Sequence, residues 1–350
     1  MVDGTDSKAP EIDPALHKRM LQLLSSLWVT RAIGAFARLG LADVIAEGEQ
    51  DGTAIARACG LLPDRVHRLL RALSTVGIVS EGTGGRFALT PLGRLLRSHA
   101  PNNMRTSTIL LNDYLADMWT HLDDALAHER TAFEAVKGQP FFAWLSEHPD
   151  EAKRFNRMML EVHGPETPAI VAAYDFAPFQ HIVDIAGGNG SLLSAVLAAY
   201  PDRRATLFDL AEAIAAARRG EGGPLPGVAF VAGDVLTSAA PAGGDLYLMR
   251  HLMHDYEDAD CVRILTGVRR AMRADARVLV LEAPLPTDGS PAPGRWLDLQ
   301  VMMLCGGRER ALEEYALLFA KAGLRLARAI PTEHPAMTVI EAVAADDGRG

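Results

Sequence analysis

From Gln180 onward, apolar strands alternate with amphipathic helices, and this alternation restricts the fold more than any other feature. HIVDIAGG is a strand entering a glycine turn, SLLSAVLAAYP is a helix and RATLFDL is the next strand, with LRLARAIP and MTVIEAVA as the last strands. Such alternation predicts a parallel sheet with helices on both faces. Ligands of these sheets bind beyond the carboxyl ends of the strands. The residues at those ends are therefore the first functional candidates.

The first strand end reads VDIAGGNGSLL. Gly187, Gly188 and Gly190 allow a tight turn and a close approach to a ligand, and the following helix directs its positive end at that ligand. A dinucleotide fingerprint needs a further glycine where Leu193 stands, so the fit to NAD is poor. The loop can instead hold the carboxylate of an amino-acid-like ligand. A glycine turn that serves packing alone is the other interpretation.

Two acids follow at later strand ends. Asp209 comes about 20 residues after the glycine loop, where a carboxylate can accept both hydroxyls of a ribose. Asp234, next to Gly233, can receive an exocyclic amine or a ribose. Either acid alone is a weak signal, but with the loop they predict an adenosine site.

The stretch MRHLMHDYEDAD follows another apolar strand and presents His254 and Asp255. This is either an ordinary polar loop or a proton acceptor held at the edge of a cavity. A metal site formed by His251, His254 and Asp255 is disfavoured, because the histidines are three apart on a strand exit and no clear third ligand set accompanies them. No metal is predicted.

The N-terminal part has a different pattern. We expect the first dozen residues to be disordered, followed from Ala15 by a helix whose apolar face calls for a partner helix, such as one from another subunit. A helix over Thr53–Cys59, a second opening at Pro63 and a hairpin turning at Gly82–Gly85 outline a winged helix. Such a module either binds DNA or serves packing and dimerisation.

The segment 99–103 is a plausible joint, and helical material continues to about Ala173. Its large apolar side chains occur at helical spacing, which fits a core or a pocket wall. The candidates for an apolar pocket are Phe142, Trp144, Phe155, Met159, Trp296 and Met302.

Composition limits the function further. A chain of 350 residues allows two domains, and a net charge of −9 argues against nucleic acid as the main partner. The three cysteines, Cys59, Cys261 and Cys305, form no CxxC pair, which fits a reducing cytoplasm. The N-terminus lacks the pattern of a signal peptide, and no uninterrupted apolar run reaches the roughly 18 residues of a membrane helix. We expect a cytoplasmic protein without membrane or nucleic-acid partners.

The motifs VDIAGGNGSLL, TLFDL, AGD, LMRHLMHDYEDADCVRIL, VLVLEAPLP and GGRER occur in this order. The set resembles the plant-type and bacterial S-adenosylmethionine-dependent O-methyltransferases, including those that methylate phenols in bacterial natural-product pathways. The resemblance covers nearly the whole chain. It implies an α/β fold, with a Rossmann-like doubly wound methyltransferase sheet preceded by a mostly α-helical winged-helix dimerisation domain. The implied domains are 1–101 for dimerisation and 102–350 for methyl transfer, the latter divided into a helical pocket segment (102–175) and a Rossmann-like core (176–350).

The resemblance also assigns roles. His254 matches the catalytic base, and Glu282 and Glu309 match the two acids that flank it. The implied cofactor-binding residues are Asp184, Ala186, Gly187, Gly188, Gly190, Asp209, Leu210, Gly233, Asp234, Val235 and Arg250. Apart from the resemblance, the residues that we expect to contact the substrate are Phe142, Trp144, Phe155, Asn156, Met159, Asp255 and Met302. The sequence departs from the family pattern at Ala186, Tyr256 and Ala311, where glycine, tryptophan and a hydroxyl residue are usual.

These residues suit methyl transfer to a phenol. A phenol has a pKa of about 10, and a histidine near 6.5 can accept its proton as the new bond forms. We therefore expect a homodimeric O-methyltransferase that acts on a hydroxylated aromatic small molecule, with neutral His254 as general base. The alternatives are a family member that has drifted to decarboxylation or hydroxylation of a polyketide, a winged-helix regulator that senses a ligand, and an NAD oxidoreductase.

Overall fold

The computed structural model describes residues 13–45, 48–100 and 102–345, so the expected disorder of the first dozen residues lies outside the described part. The chain forms two compact units, Met1–Asn112 and Asp113–Gly350. The division falls later than the predicted joint at 99–103. The reason is local, because a helix over Arg105–Leu110 packs against the N-terminal helix. Within the same unit the Arg31 guanidinium donates a 2.7 Å hydrogen bond to the Asn112 carbonyl.

The first unit has the helix–turn–helix and hairpin that the sequence predicts. Its helices are α1 (Pro14–Arg38), α2 (Leu41–Val44), α3 (Gly52–Ala58), α4 (Pro63–Ser74), α5 (Pro91–Arg94) and α6 (Arg105–Leu110), and its strands are β1 (Gln50–Asp51), β2 (Val79–Glu81) and β3 (Arg86–Leu89). The strands pair antiparallel in the order β1-β3-β2. Asp51 caps α3 by accepting from the Thr53 and Ala54 amides. Phe36, Ile55 and Phe87 belong to the core between these elements.

Helix α1 exposes a long apolar surface. Leu16, Leu24 and Trp28 are exposed, Trp28 to 74%, whereas the buried residues of the helix lie only near its end, at Gly34, Phe36 and Ala37. By length and composition alone α1 could also cross a membrane, although only 17% of its most apolar window is buried. An exposed apolar surface of this size indicates an interaction site.

The second unit begins with short helices that form a layer of aromatic side chains. They are α7 (Tyr114–Trp119), α8 (Leu122–Ala127), α9 (Ala132–Lys137), α10 (Phe141–Glu147), α11 (Pro149–His163) and α12 (Glu166–Ala173). Helix α9 starts with a capping box, in which Thr131 and Glu134 bond each other's backbone amides. The Phe133 ring packs edge-on against Phe141 with 5.0 Å between centroids.

The alternating half folds into one sheet. Its strands are β4 (His181–Ile185), β5 (Arg204–Asp209), β6 (Ala229–Ala232), β7 (Leu246–Arg250), β8 (Arg277–Glu282), β9 (Leu324–Pro331) and β10 (Thr338–Ala344), and its helices are α13 (Ser191–Ala199), α14 (Ala211–Arg218), α15 (Asp258–Ala271), α16 (Gly294–Cys305) and α17 (Leu312–Lys321). The order is β6-β5-β4-β7-β8-β10-β9. Val183 and Ile185 of β4 join the core on one face and Ile182 joins the core on the other, so both faces are covered.

The sheet differs from the predicted parallel arrangement at one edge. Strands β6, β5, β4, β7 and β8 are parallel, but β10 runs antiparallel to both β8 and β9. Only residues 332–337 link β9 to β10, and a parallel connection needs a crossover of a dozen or more residues. The five parallel strands place their carboxyl ends at one edge, as predicted.

Candidate active site

One cavity of about 460 Å³ opens at the carboxyl edge of the parallel strands. The glycine loop after β4 and the ends of β5, β6 and β7 form one side. Helices α10 and α11 supply the other, with Phe142, Phe155 and Met159. The cavity thus has a polar side made by strand ends and an apolar side made by helices.

The glycine loop turns through left-handed backbone at alternate residues. Ala186 has φ +54°, Gly188 +60° and Gly190 +79°, after which α13 begins. A Cβ at Gly187 would collide with the Asp184 carboxylate and the Leu207 side chain. The sequence therefore needs glycine at two of these turns, and it carries Ala186 at a position where a side chain costs energy.

Asp209 joins the loop to the end of β5. Its Oδ2 accepts a 2.7 Å hydrogen bond from the Gly188 amide and its Oδ1 accepts one of 2.6 Å from the Leu210 amide. Burial raises the pKa of Asp209, although both bonds oppose that change. At the end of β6, Asp234 accepts from the Leu236 amide at 2.7 Å and lines the same cavity. The two predicted acids are therefore brought together.

Asp184 and Arg250 form the buried base of the loop. Burial raises the pKa of Asp184 to about 7, and its Oδ2 has no hydrogen-bond partner among the described residues. Arg250, at the end of β7, donates to Thr167 Oγ1 at 2.9 Å and to Ser191 Oγ at 3.1 Å. The buried Oδ2 of Asp184 is therefore a polar atom that is available to a ligand in the loop.

His254 stands on a single 3-10 turn, Met253–Asp255, directly after β7, and is 6% exposed. Its Nδ1 lies 2.7 Å from Glu309 Oε1 and 3.4 Å from Glu282 Oε2. When the ring is neutral and Nδ1–H donates to Glu309, the lone pair lies on Nε2, and Asp255 Oδ1 is 3.6 Å from that atom. The structure thus brings together His254 and both predicted acids.

The three carboxylates change the basicity of this imidazole. Burial alone would lower the pKa of His254, but Glu282, Asp255 and Glu309 outweigh it and raise the pKa to about 10. The ordinary value near 6.5 therefore does not apply, and at neutral pH the imidazole is mostly protonated, in contrast to the expected neutral ring. Burial also raises the pKa of Glu282 to about 7. Glu282 Oε1 accepts from the Met253 amide at 3.0 Å, so this acid also supports the turn.

Arg310, in GGRER, has a role that the sequence did not reveal. This fully buried guanidinium donates to the carbonyls of Met253 and Tyr256, both at 2.8 Å, and pairs with Asp258. It therefore clamps the two residues that flank His254 and Asp255. The motif was recognisable, but a charged side chain in a loop carries no signal of burial.

A second group of imidazoles was also missed. Glu166 accepts from His163 Nδ1 at 3.1 Å and from His251 Nε2 at 2.8 Å, while His251 itself has φ +50°. Two sets of side chains in this region have donor atoms close enough to share an ion: His163 with Glu166 and His251, and His251 with His254 and Glu282. The previously considered set with Asp255 is not among them. The prediction of no metal stays a prediction.

Several predicted pocket residues lie elsewhere. Trp144 is buried against Tyr114 and stacks on His148 with 4.5 Å between ring centroids. Met302 is half-buried on α16 outside the cavity lining, and Trp296 is 72% exposed. These placements correct the expected pocket, because helical spacing alone does not separate core from wall. The predicted residues that do line the cavity are Phe142, Phe155, Asn156, Met159, Asp184, Ala186, Gly187, Gly188, Asp209, Leu210, Gly233, Asp234, Val235, Arg250, His254 and Asp255.

Comparison with known proteins identifies the family. Residues 119–325 match the O-methyltransferase domain, and residues 21–99 match the O-methyltransferase dimerisation domain. The chain is 35% identical to a phenazine O-methyltransferase of Lysobacter antibioticus, covering 93% of this chain and 96% of that protein. It is 33% identical to the mitomycin biosynthesis 6-O-methyltransferase of Streptomyces lavendulae, covering 97% and 96%.

Solved structures agree with this assignment. The crystal structure of the neocarzinostatin O-methyltransferase, bound to S-adenosylhomocysteine and 1,4-dihydroxy-2-naphthoic acid, has a TM-score of 0.78 at 30% identity and covers 93% of this chain and 98% of that chain. The human N-acetylserotonin methyltransferase, with S-adenosylmethionine bound, shares the fold with a TM-score of 0.88 at 23% identity, covering 97% and 100%. The chain therefore belongs to the O-methyltransferase family and is an S-adenosylmethionine-dependent O-methyltransferase.

Proposed function

We propose that the acceptor is a phenolic hydroxyl of an aromatic small molecule in bacterial secondary metabolism, and that His254 is the general base. One observation carries this proposal: Nδ1 of His254 is paired with Glu309, so once the ring has lost a proton Nε2 is the nitrogen that can accept one from a ligand in the cavity. The apolar wall of Phe142, Phe155 and Met159 suits a flat aromatic ring.

The glycine loop and the acids beyond it fit the cofactor. Bound S-adenosylmethionine supplies an activated methyl group. The loop from Ala186 to Gly190 leaves room for its amino-acid part, and the unpartnered Oδ2 of Asp184 is a buried acceptor beside that loop. Asp209 would hold the ribose hydroxyls, and Asp234 with Val235 would lie at the adenosine.

His254 moves one proton in this scheme. Its Nε2 accepts the hydroxyl proton, and the resulting imidazolium keeps its Nδ1 bond to Glu309. Glu282 supports the charge from 3.4 Å and also fixes the turn through the Met253 amide. A positioned base of this kind contributes about 10²–10⁴ in rate.

The relatives support an aromatic acceptor. Their names include a phenazine O-methyltransferase, a 3-amino-4-hydroxybenzoate 4-O-methyltransferase and a 2,7-dihydroxy-5-methyl-1-naphthoate 7-O-methyltransferase. One relative, 32% identical, is a phenazine-1-carboxylate N-methyltransferase of Pseudomonas aeruginosa, so a ring nitrogen is the second candidate acceptor.

A homodimer completes the proposal. The exposed apolar face of α1 overlaps the region that matches the dimerisation domain, which begins at residue 21. A second copy of the chain would cover Leu24 and Trp28, which are exposed. A cytoplasmic location stays a prediction.

The test is turnover with a set of phenolic and nitrogen-heterocyclic acceptors, read by product mass. Gain of one methylene unit on a phenol supports the proposal, and gain on nitrogen alone overturns the phenolic acceptor. Conversion of the acceptor without a gain in mass of one methylene unit indicates drifted chemistry.

His254→Ala should lose about 10²–10⁴ in kcat and keep its affinity for S-adenosylhomocysteine, whereas His128→Ala on the surface should match the unaltered protein. Turnover of His254→Ala within a few-fold of the unaltered protein rules out the base. A salt-dependent shift of DNA would favour a regulator.

A further inference from the structure

Two imidazole–carboxylate pairs face the same cavity. In the first, His254 Nδ1 lies 2.7 Å from Glu309 Oε1, and in the second, His163 Nδ1 lies 3.1 Å from Glu166 Oε1. Both histidines line the cavity. Removal of one proton from one hydroxyl uses only the first pair, so the second has no part in the proposed reaction.

The second pair is built at a helix junction. His163 is the last residue of α11 and Glu166 is the first residue of α12. Burial alone would raise the pKa of Glu166, but the hydrogen bonds from His163 and His251 lower it well below its usual range. The carboxylate is therefore ionised. Each imidazole keeps a proton on the nitrogen that faces it.

This arrangement fixes the tautomer of His163. With Nδ1–H donating to Glu166, Nε2 is the nitrogen of the ring that can accept a hydrogen bond. Among the described residues Nε2 has no hydrogen-bond partner, and the side chain is 14% exposed at the cavity. A hydrogen-bond acceptor is thus presented to whatever fills the cavity.

The same wall places this acceptor near the first pair. The His163 and His251 rings are 3.9 Å apart by centroid, and the His251 and His254 rings are 5.2 Å apart. Burial lowers the pKa of His251 to about 3, so this middle ring is neutral, and its Nδ1 is a buried atom without a hydrogen-bond partner among the described residues. His251 also lines the cavity, but its Nε2 is bonded to Glu166 and its Nδ1 is buried, so His163 offers the accessible nitrogen. Asp255, which faces both His163 and His254, also lines this wall.

We propose that His163 is a specificity residue that accepts a hydrogen bond from a second hydroxyl or amino group on the aromatic acceptor. The inference rests on the proposed function, since it assumes that the methylated hydroxyl lies at His254. The favoured acceptor class is therefore a ring system with two donor groups. A ring with one hydroxyl leaves Nε2 of His163 without a partner when the cavity is closed to water.

The test measures binding rather than turnover. The protein is saturated with S-adenosylhomocysteine, and calorimetry compares 2-naphthol with 2,3- and 2,7-dihydroxynaphthalene. The unaltered protein should bind at least one dihydroxy isomer about tenfold more tightly than 2-naphthol, the usual effect of one hydrogen bond. His163→Phe should remove this preference, His163→Gln should restore part of it through its amide oxygen, and the surface variant His128→Phe should keep it.

The outcomes separate this inference from the proposed function. The inference is overturned if the unaltered protein binds the dihydroxynaphthalenes no more tightly than 2-naphthol, or if it binds none of these compounds measurably. It is also overturned if His163→Phe keeps the preference. Methyl transfer to the same compounds is followed separately by mass. Transfer without a preference leaves the proposed function standing and removes the role of His163. A preference without methyl transfer keeps His163 as a residue that binds the second donor group and counts against methyl transfer to these phenols.

Discussion

His254 and Glu309 are 55 residues apart in the sequence, yet Nδ1 of the one lies 2.7 Å from Oε1 of the other. Glu309 is itself held by its backbone amide, which donates to Asp298 of α16 at 2.8 Å. The imidazole is therefore oriented by a carboxylate whose own position is fixed by a third element. Such an arrangement sets both the tautomer and the basicity of the histidine.

The pH dependence of the reaction should report this pairing. A base acts only when deprotonated, and neighbouring carboxylates raise the pKa of His254 to about 10. The value of kcat/KM for the acceptor should therefore keep rising through the alkaline range instead of levelling near pH 6.5. Glu309→Gln removes one negative charge, so the rising limb should move to lower pH, and kcat should fall about tenfold. The exposed variant Glu313→Gln should reproduce the original profile. If the rising part of the pH profile does not move in Glu309→Gln, then Glu309 does not raise the pKa of His254.

Arg310 should act on catalysis through the turn that it clamps. Lysine keeps the charge but not the planar fork that reaches Asp258 and the carbonyls of Met253 and Tyr256. Arg310→Lys should lower kcat about 10- to 100-fold and the free energy of unfolding by about 2 kcal/mol, with little effect on S-adenosylhomocysteine affinity. The comparison is Arg308→Lys, which alters a surface pair with Glu314. Equal losses in both variants would contradict a positioning role.

The predictable parts of the site lie in continuous motifs. The strand ends at Asp209 and Asp234 could be predicted because apolar runs mark where strands stop, and a parallel sheet gathers their ends. The contact between His254 and Glu309 came from the family resemblance, since no periodicity joins residues so far apart. Trp144 was misplaced because a buried aromatic residue and a wall residue share the same helical spacing.

Other features depend on tertiary structure alone. The pairing of His163 with Glu166 arises where α11 ends and α12 begins, and a short polar turn in sequence gives no sign of it. The antiparallel direction of β10, which lies between β8 and β9, could have been predicted from its short link to β9. The burial of Arg310 could not, because only the packed loop shows which carbonyls need a donor.

The glycine loop should tolerate, and gain from, one more glycine. Ala186 has φ +54°, a conformation in which a Cβ costs roughly 1–2 kcal/mol. Ala186→Gly relieves that strain but adds freedom to the unfolded chain, so the net gain in unfolding free energy should be up to about 1 kcal/mol. Urea denaturation measures it. The opposite sign is expected for Ala198→Gly on the exposed side of α13, which should lose about 1 kcal/mol. A loss in Ala186→Gly would show that the loop is unstrained.

Asp209 should control cofactor affinity through its two acceptor oxygens. Its carboxylate accepts from the Gly188 and Leu210 amides and is the proposed acceptor for the ribose hydroxyls. Asp209→Asn replaces one of the two acceptor oxygens by an amide group that only donates, so the Kd for S-adenosylhomocysteine should rise about 10- to 100-fold. Calorimetry gives this value directly. Asp202→Asn, at an exposed turn, serves as the matched variant and should leave the Kd unchanged. Similar affinities for both variants would remove Asp209 from the cofactor site.

The exposed face of α1 should determine the oligomeric state. Leu24 and Trp28 are one helical turn apart and exposed to 65% and 74%, a large apolar surface to leave in water. Placing a glutamate at each position, Leu24→Glu with Trp28→Glu, buries two unpaired charges in any interface formed there, which costs several kcal/mol per chain. Sedimentation at micromolar concentration should change from dimer to monomer. Leu126→Glu introduces one glutamate at a side chain of helix α8 that is 67% exposed, and it should leave the dimer intact. A double variant that still sediments as a dimer would place the interface elsewhere.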